Sequence, residues 1–477
     1  MLDTGADLRA VLTGGYVTWW QSIHDDHPAI ALGIAADAYT MSWGNFGAQC
    51  MGNEPREAYN NRTTEEADYR KIVEDPWFGS LSAASSANDV FAALGRGITI
   101  DHNGPQDASV KAAAHFLRGV SWGYMGLIFD QGLMVDENTN LTAAIPFVSY
   151  EDMIAGAVDE LDAAIDIAEA QGDNFIHNYF NGLTLSDDQF IALCHSYAAR
   201  FLAQWPRTQA ENAQVDWTAV LAHAEKGITS NFAPLADGRF WVSYQKYIYA
   251  EGGQGPFWAR IDQRLIAAMD PSQPARYPEV SALGEPPLAS PQAHSADARL
   301  ASDFIFLSTQ NFPVERGEWF FSHYKLNRNQ RFPDFAGDGI SGGPMPVFLA
   351  ADNELLRAEA LLRLQRLSEA VSIINAGSRT QRGQLAVLPA GASAATIEQA
   401  IMYERAIELL GTAPMSLWFD RRRIAPRVDH TALDALGGLQ TGTPAQLPVP
   451  ASELKVRSEP PYNFGGPQDP EGVVKVF

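Results

Sequence analysis

Three stretches of this sequence concentrate side chains suited to holding a neutral, hydroxyl-rich ligand. Aromatic rings would cover its C–H faces, while amide and guanidinium groups would bond its hydroxyls. The first stretch is MSWGNFGAQCMGNEPR, residues 41–56, with Trp43 and Phe46 as stacking faces and Asn45, Gln49, Asn53 and Arg56 as hydrogen-bonding groups. The second, WVSYQKYIYAEGGQGPFWARIDQR at 241–264, supplies Trp241, Tyr244, Tyr247, Trp258 and Arg260, and Gly252, Gly253 and Gly255 suit a tight turn beside Trp258. The third, RGEWFFSHYKLNRNQRF at 316–332, offers Trp319, Phe320, Tyr324, Asn327, Arg328 and Asn329. Its alternation also fits a short strand, in which half of the side chains face inward. The competing place for all these aromatics is the core, and only one or two of the second stretch are expected to touch a ligand.

Other groupings point to weaker chemistry. DELDAAID at 159–166 pairs carboxylates as a glycoside hydrolase would. Asp159, Glu160 and Asp162 nevertheless fall on the polar side of an amphipathic helix, where a solvated face is the simpler reading. The histidines show no metal-ligand spacing, so no metal site is expected. DENTN at 136–140 and DFAGDG at 334–339 are acidic, but neither completes a Ca²⁺ loop, and solvated turns are expected. Phosphate-loop and nucleophile-elbow motifs are absent, so neither nucleotide chemistry nor a serine hydrolase is indicated. Arg421, Arg422 and Arg423 are expected to cap a helix C-terminus and to pair with nearby acids.

Charge narrows the partners further. The chain has 34 Lys and Arg against 57 Asp and Glu, a net charge of −23, which repels nucleic acid and anionic lipid. With 46% hydrophobic and 19% charged residues among 477, a large folded core is expected, and no Gly/Ser/Pro linker divides the chain. Cys50 and Cys194 are its two cysteines, so a disulfide framework does not organise the fold, although a single bridge stays open. Residues 1–20 lack a basic start, an apolar run and a cleavage site, and the chain contains no apolar run long enough to span a membrane.

The elements that must position these stretches read as helices. In LLRAEALLRLQRLSEAVSIIN (355–375), Ala358, Leu361, Leu362, Ala370, Val371 and Ile374 recur at helical spacing, with a break near Gln365-Arg366. That is a helical hairpin of the tetratricopeptide type, and such hairpins bury their faces only against one another. Residues 111–129 place Gly119, Gly123 and Gly126 where a neighbouring helix can approach closely. Helical periodicity continues in 150–170, in 186–206 with Ser186 and Gln189 as a capping box, in 216–228 and in 396–410. The expected architecture is one mainly α domain over 1–477, with about four hairpins within 111–228 and 350–410. Loop-rich binding regions are expected at 41–80 and 229–348, and a proline-bearing extended strap at 440–477.

The order of these segments resembles the SusD/RagB family of outer-membrane nutrient-binding lipoproteins along nearly the whole chain. The resemblance is carried by Trp77 and Asn88, by Phe116-Leu117-Arg118, by Trp418, Phe419, Asp420, Arg422 and Arg423, and by LPVPASEL at 447–454. Gly411-Thr412-Ala413-Pro414 departs from the acidic turn usual in that family. The resemblance implies a surface-exposed tetratricopeptide-like protein that needs no cofactor, binds an oligosaccharide or a peptide without catalysis, and passes it to a SusC-like TonB-dependent transporter. It also implies a location at the cell outer membrane, held by an N-terminal lipid on a cysteine that is absent from the given chain. Two other classes are kept beside it: an all-α glycoside hydrolase or lyase, which needs two buried carboxylates in one cleft, and a tetratricopeptide scaffold that binds only protein.

Overall fold

A computed structural model describes residues 2–41, 45–249, 259–276, 292–307, 322–338, 340 and 342–477. Its frame is helical. We label the main helices α1 (Gly5–His24), α2 (Ala29–Ala35), α3 (Ala67–Gly95), α4 (Pro105–Ile128), α5 (Tyr150–Gln171), α6 (Asp187–Gln204), α7 (Trp217–Ala224), α8 (Ala350–Arg363), α9 (Leu367–Ala376), α10 (Ala394–Ile407) and α11 (Ser416–Arg423). Local signals start several of them. Thr4 and Asp7 form a capping box on α1, Ser186 and Gln189 form the one expected on α6, and Ser149 and Ser393 cap α5 and α10.

The helices stack in chain order. α3 packs on α1 and α4, then α4 on α5, α5 on α6, α6 on α7, α7 on α8, and α8 on α9 and α10, with α11 against α10. The pairs α4/α5, α6/α7 and α8/α9 are successive hairpins, and α10 with the shorter α11 closes the series. The α8/α9 turn falls where the polar pair predicts it: Gln365 takes the left-handed conformation (φ 61°), and Ala358 and Ala370 are fully buried.

Small residues set the spacing of α4 and its neighbours. A Cβ on Gly119 would lie 3.1 Å from the Ala157 carbonyl oxygen, and one on Gly126 would lie 2.9 Å from the Met153 Cβ, so both glycines let α5 come close. Gly123 faces the other way, against the Phe201 ring of α6. Between the helices lies an aromatic core containing Tyr16, Trp19, Phe116, His177, Phe180 and Tyr197.

Two loop expectations differ from the structure. The loop-rich reading of 41–80 runs into α3, which begins at Ala67 and contains Pro76. Proline removes one helical hydrogen bond, but Ile72, Val73 and Trp77 are buried around it, and that packing sustains the helix through the proline. The strap at 440–477 includes a short helix, Ala451–Val456, started after Pro450 by the Ala451 N–H donating to Asn61 Oδ1 (2.9 Å). The rest of the strap is tied down by isolated pairings: Leu447 with Phe129, Gly465 with Ala58, and Val476 with Asn463.

Strands are few and short among the described residues. β1 (Tyr39–Thr40) pairs antiparallel with β4 (Arg260–Ile261), β2 (Gln131–Gly132) with β3 (Val148–Ser149), and β5 (Phe304–Phe306) with β6 (Tyr324–Leu326). Cys50 is exposed and Cys194 buried, and both are free thiols. None of the helices is long and apolar enough to cross a membrane, among the described residues.

Candidate ligand-binding face

The three aromatic stretches, far apart in sequence, meet in space. β1, immediately before the first, pairs with β4 in the second through Tyr39 with Ile261 and Thr40 with Arg260. The Phe46 and Tyr247 rings lie 4.7 Å apart between centroids. The second stretch reaches the third where Tyr249 pairs with Leu326 of β6. The first stretch turns sharply here, because Phe46 and Gly47 both adopt left-handed backbone (φ 59° and 65°). That turn sets the Phe46 ring against His27 and Tyr247.

The side chains within these stretches have different places. Trp43, Trp258 and Trp319 lie outside the described residues, as does the side chain of Asn45. Asn53 is half-buried, with Nδ2 3.4 Å from Glu57 Oε2, and Phe46 is at the buried wall of the face. Arg56, Tyr244, Arg260 and Tyr324, which the sequence reading expects on the ligand surface, are turned inward. Arg56 donates to Asp37 and to the carbonyls of Met51 and Asn53. Tyr324 accepts the Ala293 N–H on its hydroxyl (2.7 Å). Arg260 is held in the β1/β4 ladder, and Tyr244 is packed beneath α1 with its N–H donating to the His24 carbonyl (2.9 Å).

Beneath the face runs a set of buried ion pairs. Asp37 receives Arg56, Arg264 (2.6 Å) and Gln440 (2.9 Å), with Arg421 at 3.5 Å. These guanidinium groups outweigh the desolvation of its buried carboxyl and hold it below the usual carboxylate range. Glu359 of α8 accepts both Arg423 nitrogens (2.9 and 2.8 Å) and Arg405 (2.9 Å), while Asp420 receives the same two arginines at 2.7 and 2.6 Å. The three arginines at the end of α11 therefore do more than cap it. Arg421 joins Asp37, Arg423 joins Glu359, and Arg422 donates to the carbonyls of Leu127, Gln204, Pro206 and Ala445, locking α4, α6 and the strap together. Glu160 also departs from the solvated reading, since it accepts Arg118 (2.7 Å) and lies 2.8 Å from His115 Nδ1. Asp136 does behave as an ordinary turn residue, accepting the Asn138 N–H.

Sequence reasoning passed over a polar pocket beside this face. It has a volume of about 580 Å³ and is lined by α1, the α1–α2 turn and α3. Asp25, Asp26 and His27 come from the turn, and Lys246, behind it, ties Asp25 (2.6 Å) and Asp26 (3.3 Å) to the second stretch. The signal was the run His24-Asp25-Asp26-His27 at the end of an aromatic helix.

This arrangement of stacked helical hairpins under a loop-built face is the SusD-like fold. A SusD homolog from Bacteroides thetaiotaomicron superposes with a TM-score of 0.62 at 13% identity, over 95% of this chain and 96% of that one. A SusD superfamily protein from Parabacteroides distasonis gives 0.61 at 13% identity, over 96% and 98%. A SusD-like carbohydrate binding protein from Bacteroides vulgatus gives 0.60 at 14% identity, over 88% and 84%. No protein-family model matches the sequence, and no curated protein matches it.

Proposed function

We propose that this protein is a cell-surface glycan-binding protein that captures an oligosaccharide and delivers it, unmodified, to a SusC-like TonB-dependent outer-membrane transporter. The observation that carries the reading is the meeting of the three aromatic and amide-rich stretches on one face of a SusD-like fold, through β1/β4, Phe46/Tyr247 and Tyr249/Leu326. Trp43, Trp258 and Trp319 belong to these stretches and are assigned the stacking platforms, with Asn45 and Asn53 as hydrogen-bonding partners. A SusD-like neighbour described as carbohydrate binding supports the choice of ligand class.

Binding without turnover fits such platforms, because one sugar face stays in water and no acid and base need to flank a glycosidic bond. The hairpin side of the molecule is assigned to the transporter. Co-purification with the transporter's extracellular surface tests delivery: retention of the full chain supports it, and loss of uptake without loss of glycan binding in an interface variant would locate the contact. Failure to bind any glycan would sink the reading.

A further inference from the structure

We propose that the cavity enclosed by the α8/α9 hairpin, the end of α10 and residues 328–335 is a second sugar-binding site, taking a short neutral oligosaccharide. The inference rests on the glycan-binding reading and adds to it a site among the hairpins. None of the residues that join the three aromatic stretches lines this cavity, although Arg328 and Phe332 of the third stretch do.

Its volume of about 540 Å³ is that of a small-ligand pocket, and its lining is amphipathic. Phe335, Leu349 and Leu355 form its buried apolar part, and with Leu409 and Ala413 they make a cluster separate from the main core. Phe332 and Ile373 are half-buried in the wall, and the Arg382 guanidinium stands 4.6 Å from the Phe332 ring centroid. At the start of α8, Ala350 and Ala351 present only methyl groups to the cavity. Thr229, Asn231, Asp334 and Gln381 are its exposed polar part.

The ionised groups buried here already neutralise one another, so a charged guest is not called for. Glu404 receives Arg299 (2.7 Å) and Ser378 (2.6 Å), and Glu408 receives Arg328 (2.6 Å) and Arg382 (3.1 Å). Hydrogen-bonding capacity of both kinds nevertheless remains. Arg382 spends Nε on Glu408 and Nη2 on Asp303, which leaves Nη1 as a donor. Asn231 accepts the Ala350 N–H on Oδ1 (3.1 Å) and keeps Nδ2 as a second donor. Gln381 gives Nε2 to the Ala376 carbonyl and keeps Oε1 as an acceptor, and the Asp334 carboxylate is a further acceptor in the lining. A wholly apolar guest would strip water from these groups without replacing it. A sugar hydroxyl both donates and accepts, and the C–H face of the ring suits Phe332 and Ile373.

The experiment combines hydrogen–deuterium exchange with calorimetric titration of the full chain. The probes are neutral hexasaccharides of glucose, mannose, galactose, xylose, arabinose and fructose, with the peptide acetyl-Ala-Phe-Ala-amide beside them. The hexasaccharide that binds is expected to slow exchange at 328–335 and 377–382. Affinity at this site should fall about tenfold in Phe332→Ala and vanish in Ala351→Trp, whose indole would fill the cavity, while it persists in Trp43→Ala. If Ala351→Trp does not fold, the exchange pattern and Phe332→Ala decide the matter. Unchanged exchange in both segments, or undiminished affinity in Phe332→Ala, would overturn the proposal while binding at the aromatic face stands. Tighter binding of the peptide, blocked in Ala351→Trp, would overturn the sugar as occupant. Binding of no hexasaccharide at all would instead sink the glycan reading, and this site with it.

Discussion

Replacing Glu359 by Gln should destabilise the protein by about 3–5 kcal/mol, the range for removing one partner of a buried ion pair. The structure explains why the cost falls at the upper end of mutational effects. Glu359 is 1% exposed and joins three helices: α8 through its own backbone, α10 through Arg405 and α11 through Arg423. With Asp420 it balances two buried guanidinium groups, and the glutamine leaves that cluster with one uncompensated positive charge. The amide also turns a donor towards guanidinium donors, so a hydrogen bond is lost with the charge.

The expected change in melting temperature follows from chain length. For 477 residues unfolding as a unit, an entropy of about 2.1 cal/mol/K per residue gives about 1 °C for each kcal/mol, hence about 3–5 °C. Differential scanning calorimetry at pH 7 is the assay. The pH dependence has a definite sign. Although burial alone would raise it, Arg423 and Arg405 hold the Glu359 carboxyl well below the usual range. The wild-type advantage is therefore complete above the unfolded value of about 4.3 and is lost as pH falls towards the lower folded value, so the gap between the two proteins should narrow at pH 3.5. A shift of less than about 1 °C at pH 7, or a gap that widens in acid, would refute the reasoning.

Gly123→Ala should cost about 1–3 kcal/mol in urea unfolding, because its Cβ would press on the Phe201 ring. Gly14→Ala, on the open face of α1, should instead be neutral or stabilising by up to about 1 kcal/mol, and equal effects at the two sites would contradict the packing described. Asp262 is buried, and desolvation together with repulsion from Asp37 raises its carboxyl to about 8. A raised carboxyl contributes stability below its unfolded value and loses it as pH rises through the folded one. Asp262→Asn should therefore raise the melting temperature most near pH 8–9, with the gain vanishing towards pH 4, and a pH-independent effect would argue against it. Trp43→Ala and Trp258→Ala should weaken glycan binding by about tenfold or more without lowering the melting temperature, and full affinity in both variants would remove those rings from the site.

What the sequence discloses and what it hides follow the reach of each interaction. The α8/α9 hairpin was readable because its signals are local: small residues at helical spacing, then a polar break at Gln365. The close approach of α4 and α5 was readable from Gly119 and Gly126 for the same reason. Arg56 was not, since a guanidinium beside aromatics serves a ligand or a core equally well, and its partner is decided by the folded chain. Asp37, which Arg56 meets, also receives Arg264 from 227 positions further along the sequence. The same nonlocality hid the separate tasks of Arg421, Arg422 and Arg423, whose acceptors come from Asp37 after α2, from α4, α6 and α8, and from the strap. α3 was hidden differently: Pro76 argues for a break on local grounds, and tertiary burial of Trp77 overrides it.

The central claim is that this face binds a glycan and leaves it intact. The most direct test is to titrate the full chain with a panel of neutral oligosaccharides, following tryptophan fluorescence and analysing each mixture for cleavage products. Saturable quenching by one glycan class, with the oligosaccharide recovered whole, is the predicted result. Shortened products, or no response across the panel, would contradict it.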